Sequence, residues 1–163
     1  MKIINVDTVN LREFKCIFYD FDGVMTDNRV LVDEEGKESV FVNRGDGYAV
    51  AQIKKLGIRQ VIVSTEQNPV VERRAEKLGI EVIHGVEDKA ETIKDWCCMN
   101  NVNVSKTIFI GNDLNDLSAM NIVGFKCAPA DAEGEILEIA DWISAKKGGE
   151  GVIRDFLSLL EKL

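Results

Sequence analysis

Short apolar runs alternate with longer mixed stretches along this chain: CIFYD at 16–20, VIVS at 61–64, EVIH at 81–84 and TIFIG at 107–111. Runs rich in Ile and Val, with no polar alternation, suit strands covered on both faces, and so predict a parallel sheet with crossover helices. Between the runs, the pattern predicts helices near 46–56, 69–78, 88–100, 113–121 and 150–162. Gly57 and Gly79 stand where a left-handed residue closes a helix, and Asp113 where a side chain caps the start of one. One stretch breaks the alternation. Arg29 to Asp33, the Glu34-Glu35-Gly36 turn and Lys37 to Val42 read as a β-hairpin inserted into the first βα connection.

No repeat, low-complexity tract or linker interrupts the pattern, and only Pro69 and Pro129 punctuate it. Positions 1–163 are therefore expected to form one α/β domain, large enough to bury roughly two thirds of its unfolded surface. With no large cap domain, whatever covers the site must be small or come from another subunit.

Composition narrows the partners. Hydrophobic residues make up 45% and charged ones 29%, ordinary for a globular chain, so disorder is excluded as the default. The formal net charge of -8 repels polyanions, which argues against nucleic acid and against an anionic membrane surface. A small anionic substrate then needs a metal to offset that field. Cys16, Cys97, Cys98 and Cys127 lack C-x-x-C spacing and the chain has one histidine, so a zinc site is not expected. Residues 1–14 mix Lys2, Asp7, Arg12 and Glu13 among apolar positions, giving neither a signal-like apolar core nor a spanning segment. The expected compartment is the cytoplasm.

The first strand runs into Asp20-Phe21-Asp22-Gly23-Val24-Met25-Thr26-Asp27. Ligands of open parallel sheets bind at the carboxyl ends of strands, which is where these acids fall. Gly23 lets the chain turn after Asp22, so the two carboxyls can take separate tasks. One can accept a phosphoryl group as an acyl phosphate; the other can protonate a leaving alcohol and then activate water. Later strand ends add Ser64-Thr65, Asp88-Lys89 and Gly111-Asn112-Asp113-Leu114-Asn115-Asp116. Taken singly these read as a helix cap, a solvated lysine and an Asp/Asn-rich turn. Together they supply hydroxyl and amide donors for phosphate, a fixed positive charge and oxygen ligands for Mg²⁺, the set that phosphoryl transfer requires.

The order D-x-D-G-x-x-T-D, Ser, Lys, G-N-D-x-x-D resembles the haloacid dehalogenase superfamily over nearly the whole chain, from Lys15 to about Leu160. The hairpin, the Arg44-Gly45-Asp46-Gly47 turn and Lys147-Gly148-Gly149-Glu150-Gly151 resemble its capless tetrameric branch. That branch holds phosphatases of 3-deoxy-octulosonate 8-phosphate and of nine-carbon sialic-type sugar acid 9-phosphates, and phosphatase-like domains fused to acylneuraminate cytidylyltransferases. The resemblance implies a Rossmann-like fold, Mg²⁺ as cofactor and a homotetramer in which a neighbour's hairpin and C-terminal segment close the pocket. It makes Asp20 nucleophile and metal ligand, and Asp22 the acid/base that gives the metal its backbone carbonyl. Ser64 and Lys89 then hold phosphoryl oxygens. The 111–116 turn completes the metal shell, from Asn112 or Asp113, with Asp116 bracing it. Members of the branch often carry two adjacent acids where this chain has Asn112 first.

Where the octulosonate phosphatases usually show T-G-R, this chain has Ser64-Thr65-Glu66. That resembles the nine-carbon group and the cytidylyltransferase-fused domains: Thr65 stays with Ser64 at the phosphate, Glu66 can accept from sugar hydroxyls or an amine, and Arg73 and Arg74 are candidate partners for the substrate carboxylate or solvated helix arginines. Other readings remain; one, transfer of the phosphoryl group to a second hydroxyl as in a sugar phosphate mutase, would need a water-excluding lid for which this chain has no room. A catalytically weak assembly module associated with a cytidylyltransferase would keep the fold without the turnover. A phospho-acceptor receiver domain also groups acids, a hydroxyl and a lysine, but places the hydroxyl and lysine after the final acid, the reverse of the order here.

Overall fold

The computed structural model describes residues 9–162; the first eight positions, part of the stretch read as lacking a signal-like core, lie outside them. Strand β1 (Cys16–Tyr19) leads into a hairpin, β2 (Leu31–Val32) with β3 (Glu38–Ser39), and then α1 (Arg44–Lys55). There follow β4 (Arg59–Val63), α2 (Pro69–Leu78), β5 (Glu81–Ile83), α3 (Lys89–Met99) and β6 (Thr107–Ile110). A 3₁₀ turn at Leu114–Asp116 runs into α4 (Leu117–Met120), and β7 (Phe125–Ala128), α5 (Gly134–Ile139), β8 (Trp142–Ile143) and α6 (Val152–Leu160) complete the order.

Six strands form one parallel sheet in the order β5-β4-β1-β6-β7-β8. This is the expected Rossmann-like α/β architecture, and β1 lies at its centre. The chain steps outward from β1 through β4 to β5, then crosses to β6 on the other side, so the switch point falls at the end of β1. Tyr19 is level with both Ile62 and Ile110. Asp20, Ser64 and Gly111 therefore emerge at one edge of the sheet.

Side chains of β1 alternate between two apolar layers. Ile17 and Tyr19 join the layer beneath α1, α2 and α6, while Cys16 and Phe18 join the one beneath α3 and α4. Both faces being covered explains why the strands read as continuous apolar runs. Phe18 meets Trp96 edge-on, with centroids 5.2 Å apart, and Arg59 covers the Trp96 ring at 4.4 Å. Trp142 packs on Phe156, so both tryptophans are packing residues.

The helix boundaries follow local chemistry. Asn68 accepts from Val70 N, Pro69 occupies the first turn, and Gly79 closes α2 at φ +65°. The hairpin turns through Gly36 at φ +80° and pairs Leu31 with Ser39. Its apolar side chains remain in water: Leu31 is 67% and Phe41 75% exposed. Among the described residues, no helix is long and apolar enough to cross a membrane.

Candidate active site

Four strand ends converge at the switch point. Asp20 follows β1 and is fastened to the neighbouring strand by its amide, which donates to Ile110 O at 2.9 Å. Lys89 opens α3, directly after the Asp88 cap, and reaches inward until it is fully buried. Its Nζ lies 2.8 Å from Asp20 Oδ1 and 2.6 Å from Asp116 Oδ1. Asp116 Oδ2 accepts from the amides of Asn112 and Asp113, at 2.9 and 3.2 Å. Both Asp116 oxygens are thus committed to shaping the turn and seating Lys89. Gly111 permits this, because a Cβ there would stand 2.7 Å from Asp116 Oδ2.

The electrostatics follow from two carboxylates sharing one ammonium. Burial disfavours a charged Lys89, but Asp20 and Asp116 together outweigh it and raise its pKa above the ordinary lysine value. Burial first, and then Asp116, push the Asp20 carboxyl up to about 7, with Lys89 acting in the opposite sense. Lys89 is accordingly a fixed cation at the edge of a site with surplus negative charge.

The second Asp20 oxygen faces a different environment. One side-chain amide atom of Asn112 stands 3.1 Å from Asp20 Oδ2 and 2.9 Å from the Asp22 carbonyl oxygen. Among protein groups alone that atom is the nitrogen, which donates to both oxygens; a cation seated there would turn the amide so that its oxygen faces inward. With its oxygen inward, the trio is a face for a hard cation, which favours carboxylate, carbonyl and amide oxygens. The donor set therefore fits a divalent metal. Among the described residues, no three His, Cys, Asp or Glu side chains could hold an ion by themselves, and the mixed carbonyl-amide-carboxylate set is the alternative that the structure offers. Asp113 instead turns its Oδ1 to Leu114 N at 2.6 Å, as a cap.

Asp22 lies on the turn that Gly23 makes possible at φ +84°, and a Cβ on Gly23 would overlap the Asn112 side chain. Asp22 Oδ1 accepts from Thr26 Oγ at 3.1 Å. Burial, aided by Glu38, raises the Asp22 carboxyl above its ordinary pKa, while Thr26 and Lys89 oppose the shift. A carboxyl that keeps its proton more readily suits an acid catalyst. Ser64 is buried, and its Oγ accepts from Glu66 N at 3.1 Å, so the hydroxyl proton remains available to an incoming oxygen.

A cleft of about 150 Å³ opens over these groups, lined by Asp20, Asp22, Asn28, Ser64, Thr65, Glu66, Asp113 and Asn115. Asn115 belongs to the expected 111–116 turn, while Asn28 is marked by no motif. Asn28 adopts a left-handed conformation at φ +63°, and its amide donates to Thr26 Oγ. Arg73 and Arg74 do not line this cleft. Arg73 pairs with Glu76 at 3.1 Å, and Arg74 donates to Asn43 O at 3.1 Å. Both border a larger hollow of about 800 Å³ between the hairpin and α2. The larger space holds neither of the paired acids, but a hollow of about 200 Å³ lined by Asp22, Asn28, Glu38, Glu66 and Asn68 lies between it and the cleft. Glu66 borders both, and Glu38 accepts from Asn68 Nδ2 at 2.7 Å between them. His84 is half-buried with Nδ1 unpartnered among the described residues, and joins no site.

Comparison with known proteins gives a consistent picture. The family model for haloacid dehalogenase-like hydrolases matches residues 58–156. The chain is 30% identical to 3-deoxy-D-manno-octulosonate 8-phosphate phosphatase KdsC of Yersinia pestis, over 93% of this chain and 80% of that one. Among solved structures, the 3-deoxy-D-manno-octulosonate 8-phosphate phosphatase of Moraxella catarrhalis, in complex with magnesium ion, phosphate ion and KDO molecule, superposes with a TM-score of 0.89. It is 29% identical and covers 93% of this chain and 88% of its own. N-acylneuraminate cytidylyltransferase A of Danio rerio matches at 22% identity over 87% of this chain but only 34% of its own length.

Proposed function

Because this chain belongs to the haloacid dehalogenase-like hydrolase family and is one of its phosphatases, we propose that it hydrolyses a phosphorylated sugar acid with magnesium as cofactor, through a phospho-aspartate on Asp20. The observation that carries this reading is the division of labour at Asp20: one oxygen on Lys89, the other facing the Asp22 carbonyl and the Asn112 amide.

An Asp20 carboxylate oxygen attacks phosphorus while the bond to the ester oxygen breaks, and Asp22 delivers its proton to the departing alkoxide. Asp22, now ionised, takes a proton from water as that oxygen attacks phosphorus; the bond to Asp20 breaks and inorganic phosphate leaves. Lys89 and the Ser64 hydroxyl neutralise and orient the phosphoryl oxygens throughout. A magnesium ion bound by Asp20, the Asp22 carbonyl and Asn112 would supply the remaining positive charge against them. We assign the amide ligand to Asn112 because Asp113 is occupied as a cap, and we give Asp113 and Asp116 the task of fixing the turn.

The named relatives support a 2-keto-3-deoxy sugar acid phosphate as the substrate class. Within it, Glu66 at the mouth of the cleft favours the nine-carbon sialic-type acid 9-phosphate over octulosonate 8-phosphate, since it can accept from hydroxyls and an amine. Arg73 and Arg74, in the adjoining hollow, are then reached only by a long substrate. The exposed apolar hairpin supports assembly into a homotetramer over the mouth of the site, and the free thiols Cys16, Cys97, Cys98 and Cys127 fit a cytoplasmic location.

Phosphate release from both sugar acid phosphates with Mg²⁺, for wild type and Asp20→Asn, is the test. Turnover abolished in a folded Asp20→Asn supports the nucleophile; wild-type turnover in that variant rejects it. The match to a cytidylyltransferase favours one second reading, an assembly module, and inactivity of the wild type across the panel would select it.

A further inference from the structure

Helix α6 starts after Gly151, at φ +99°, which has no side chain with which to cap the first amides. The cap comes from α1 instead. Asp46, 1% exposed, accepts from Arg154 N at 3.1 Å across 108 positions of sequence. Asn43, which caps α1 through Gly45 N at 2.7 Å, also sends Nδ2 to Gly149 O at 3.3 Å. Gly148 N donates to Asp131 Oδ1 at 2.9 Å, and Gly149 N to Val24 O at 3.1 Å. The segment 147–151 is thus fastened on both sides.

It is pressed against the turn that carries Asp22. A Cβ on Gly148 would overlap the Gly23 carbonyl oxygen and stand 2.9 Å from Thr26 O; one on Gly149 would stand 2.6 Å from Asp27 N. On the opposite face, Gly23 has room only for the Asn112 side chain. Within the turn, the amides of Val24, Met25 and Thr26 all point to the single carbonyl of Phe21, at 2.9 to 3.3 Å. One acceptor cannot bond well with three donors, and the Thr26 hydroxyl adds a bond to Asp22 Oδ1 at 3.1 Å and takes one from Gly23 N at 3.2 Å. These bonds hold the turn's internal shape; the layer on either side fixes where that shape sits.

We propose that segment 147–151, seated on α1 by Asp46 and Asn43, is a positioning element for Asp22. Gly148 and Asn43 act through Asp22, setting the direction of its carbonyl oxygen and carboxyl without touching substrate. This rests on the phosphatase reading of Asp22 given above.

The test uses the full chain and p-nitrophenyl phosphate. Gly148→Ala inserts a methyl group between the layers. We expect kcat to fall roughly tenfold or more with KM for the aryl phosphate little changed, and half-saturation by Mg²⁺ to rise, as a displaced carbonyl requires. The rise in Tm that Mg²⁺ gives wild type should shrink as well. Asn43→Asp keeps the α1 cap but removes the donor to Gly149 O, and it decides the matter if Gly148→Ala does not fold. Loss of kcat with weakened Mg²⁺ response in whichever variant folds supports the inference; wild-type values of both overturn it. The Tm readout needs no substrate, so a wild type that responds to Mg²⁺ but releases no phosphate sinks the phosphatase reading alone.

Discussion

Lys89 and Asp116 form an ion pair of 2.6 Å, with the lysine side chain 1% exposed and the carboxylate 0%. So deep a pair adds little net stability over apolar packing, but removing one partner leaves the other charged and unsolvated. Lys89→Met should cost about 3–5 kcal/mol in urea denaturation at neutral pH, and abolish turnover. The deficit should narrow on acidification, as Asp20, with its carboxyl pushed up to about 7 by burial, can then bind a proton. A variant as stable as wild type would show that the carboxylates reach solvent.

In the proposed metal shell Asn112 would contribute a neutral oxygen where two adjacent acids are usual in the branch that the sequence resembles. Ligand charge tunes affinity for a hard cation. Asn112→Asp should lower the Mg²⁺ concentration for half-maximal activity by roughly three- to tenfold. An unchanged or raised midpoint would place the Asn112 oxygen outside the metal shell.

Asp46 offers a pH signature away from the metal. Its burial, opposed by the amides of Arg154 and Ile153 and by the Arg74 charge, raises its carboxyl to about 6 from an ordinary 3.8. Folded protein then binds a proton more tightly than unfolded, so this contribution is complete below pH 4 and is lost as pH rises through 6. Between pH 4 and 7, wild type should lose roughly 2 kcal/mol relative to Asp46→Asn, whatever constant offset separates the two. Parallel stability curves in denaturant would refute the shift.

The hairpin's Leu31 and Phe41 are exposed apolar side chains that the proposed assembly would cover. Leu31→Glu with Phe41→Glu should reduce the particle mass in sedimentation equilibrium without altering the circular dichroism of the sheet. An unchanged mass would place any interface elsewhere.

The sequence exposed the four strand ends because both faces of β1, β4 and β6 are covered, which leaves uninterrupted apolar runs. It hid β7, where Lys126 sits mid-strand and its Nζ lies 3.8 Å from Asp141. It also hid the two-residue β8 and the six-residue α5, which are too short for any period to register. The single helix expected over 113–121 divides into the 3₁₀ turn and α4, since Asp116 leans back to the amides of Asn112 and Asp113 and tightens the first turn. Arg73 and Arg74 suit a substrate carboxylate by their charge alone. Which hollow they border depends on how α2 docks, and that is fixed by distant residues such as Asn43. Thr26 was visible as a letter in a motif, but its hydrogen bond to Asp22 belongs to three dimensions.

The shared lysine has one more consequence. Asp20 and Asp116 bring two negative charges to a single ammonium, and Asp22 stands beside them, so without a cation the site repels a phosphate dianion. In the proposed phosphatase site, anion and metal would then bind as a cooperative pair: each raises the affinity of the other by the same factor, since linkage between two equilibria is reciprocal.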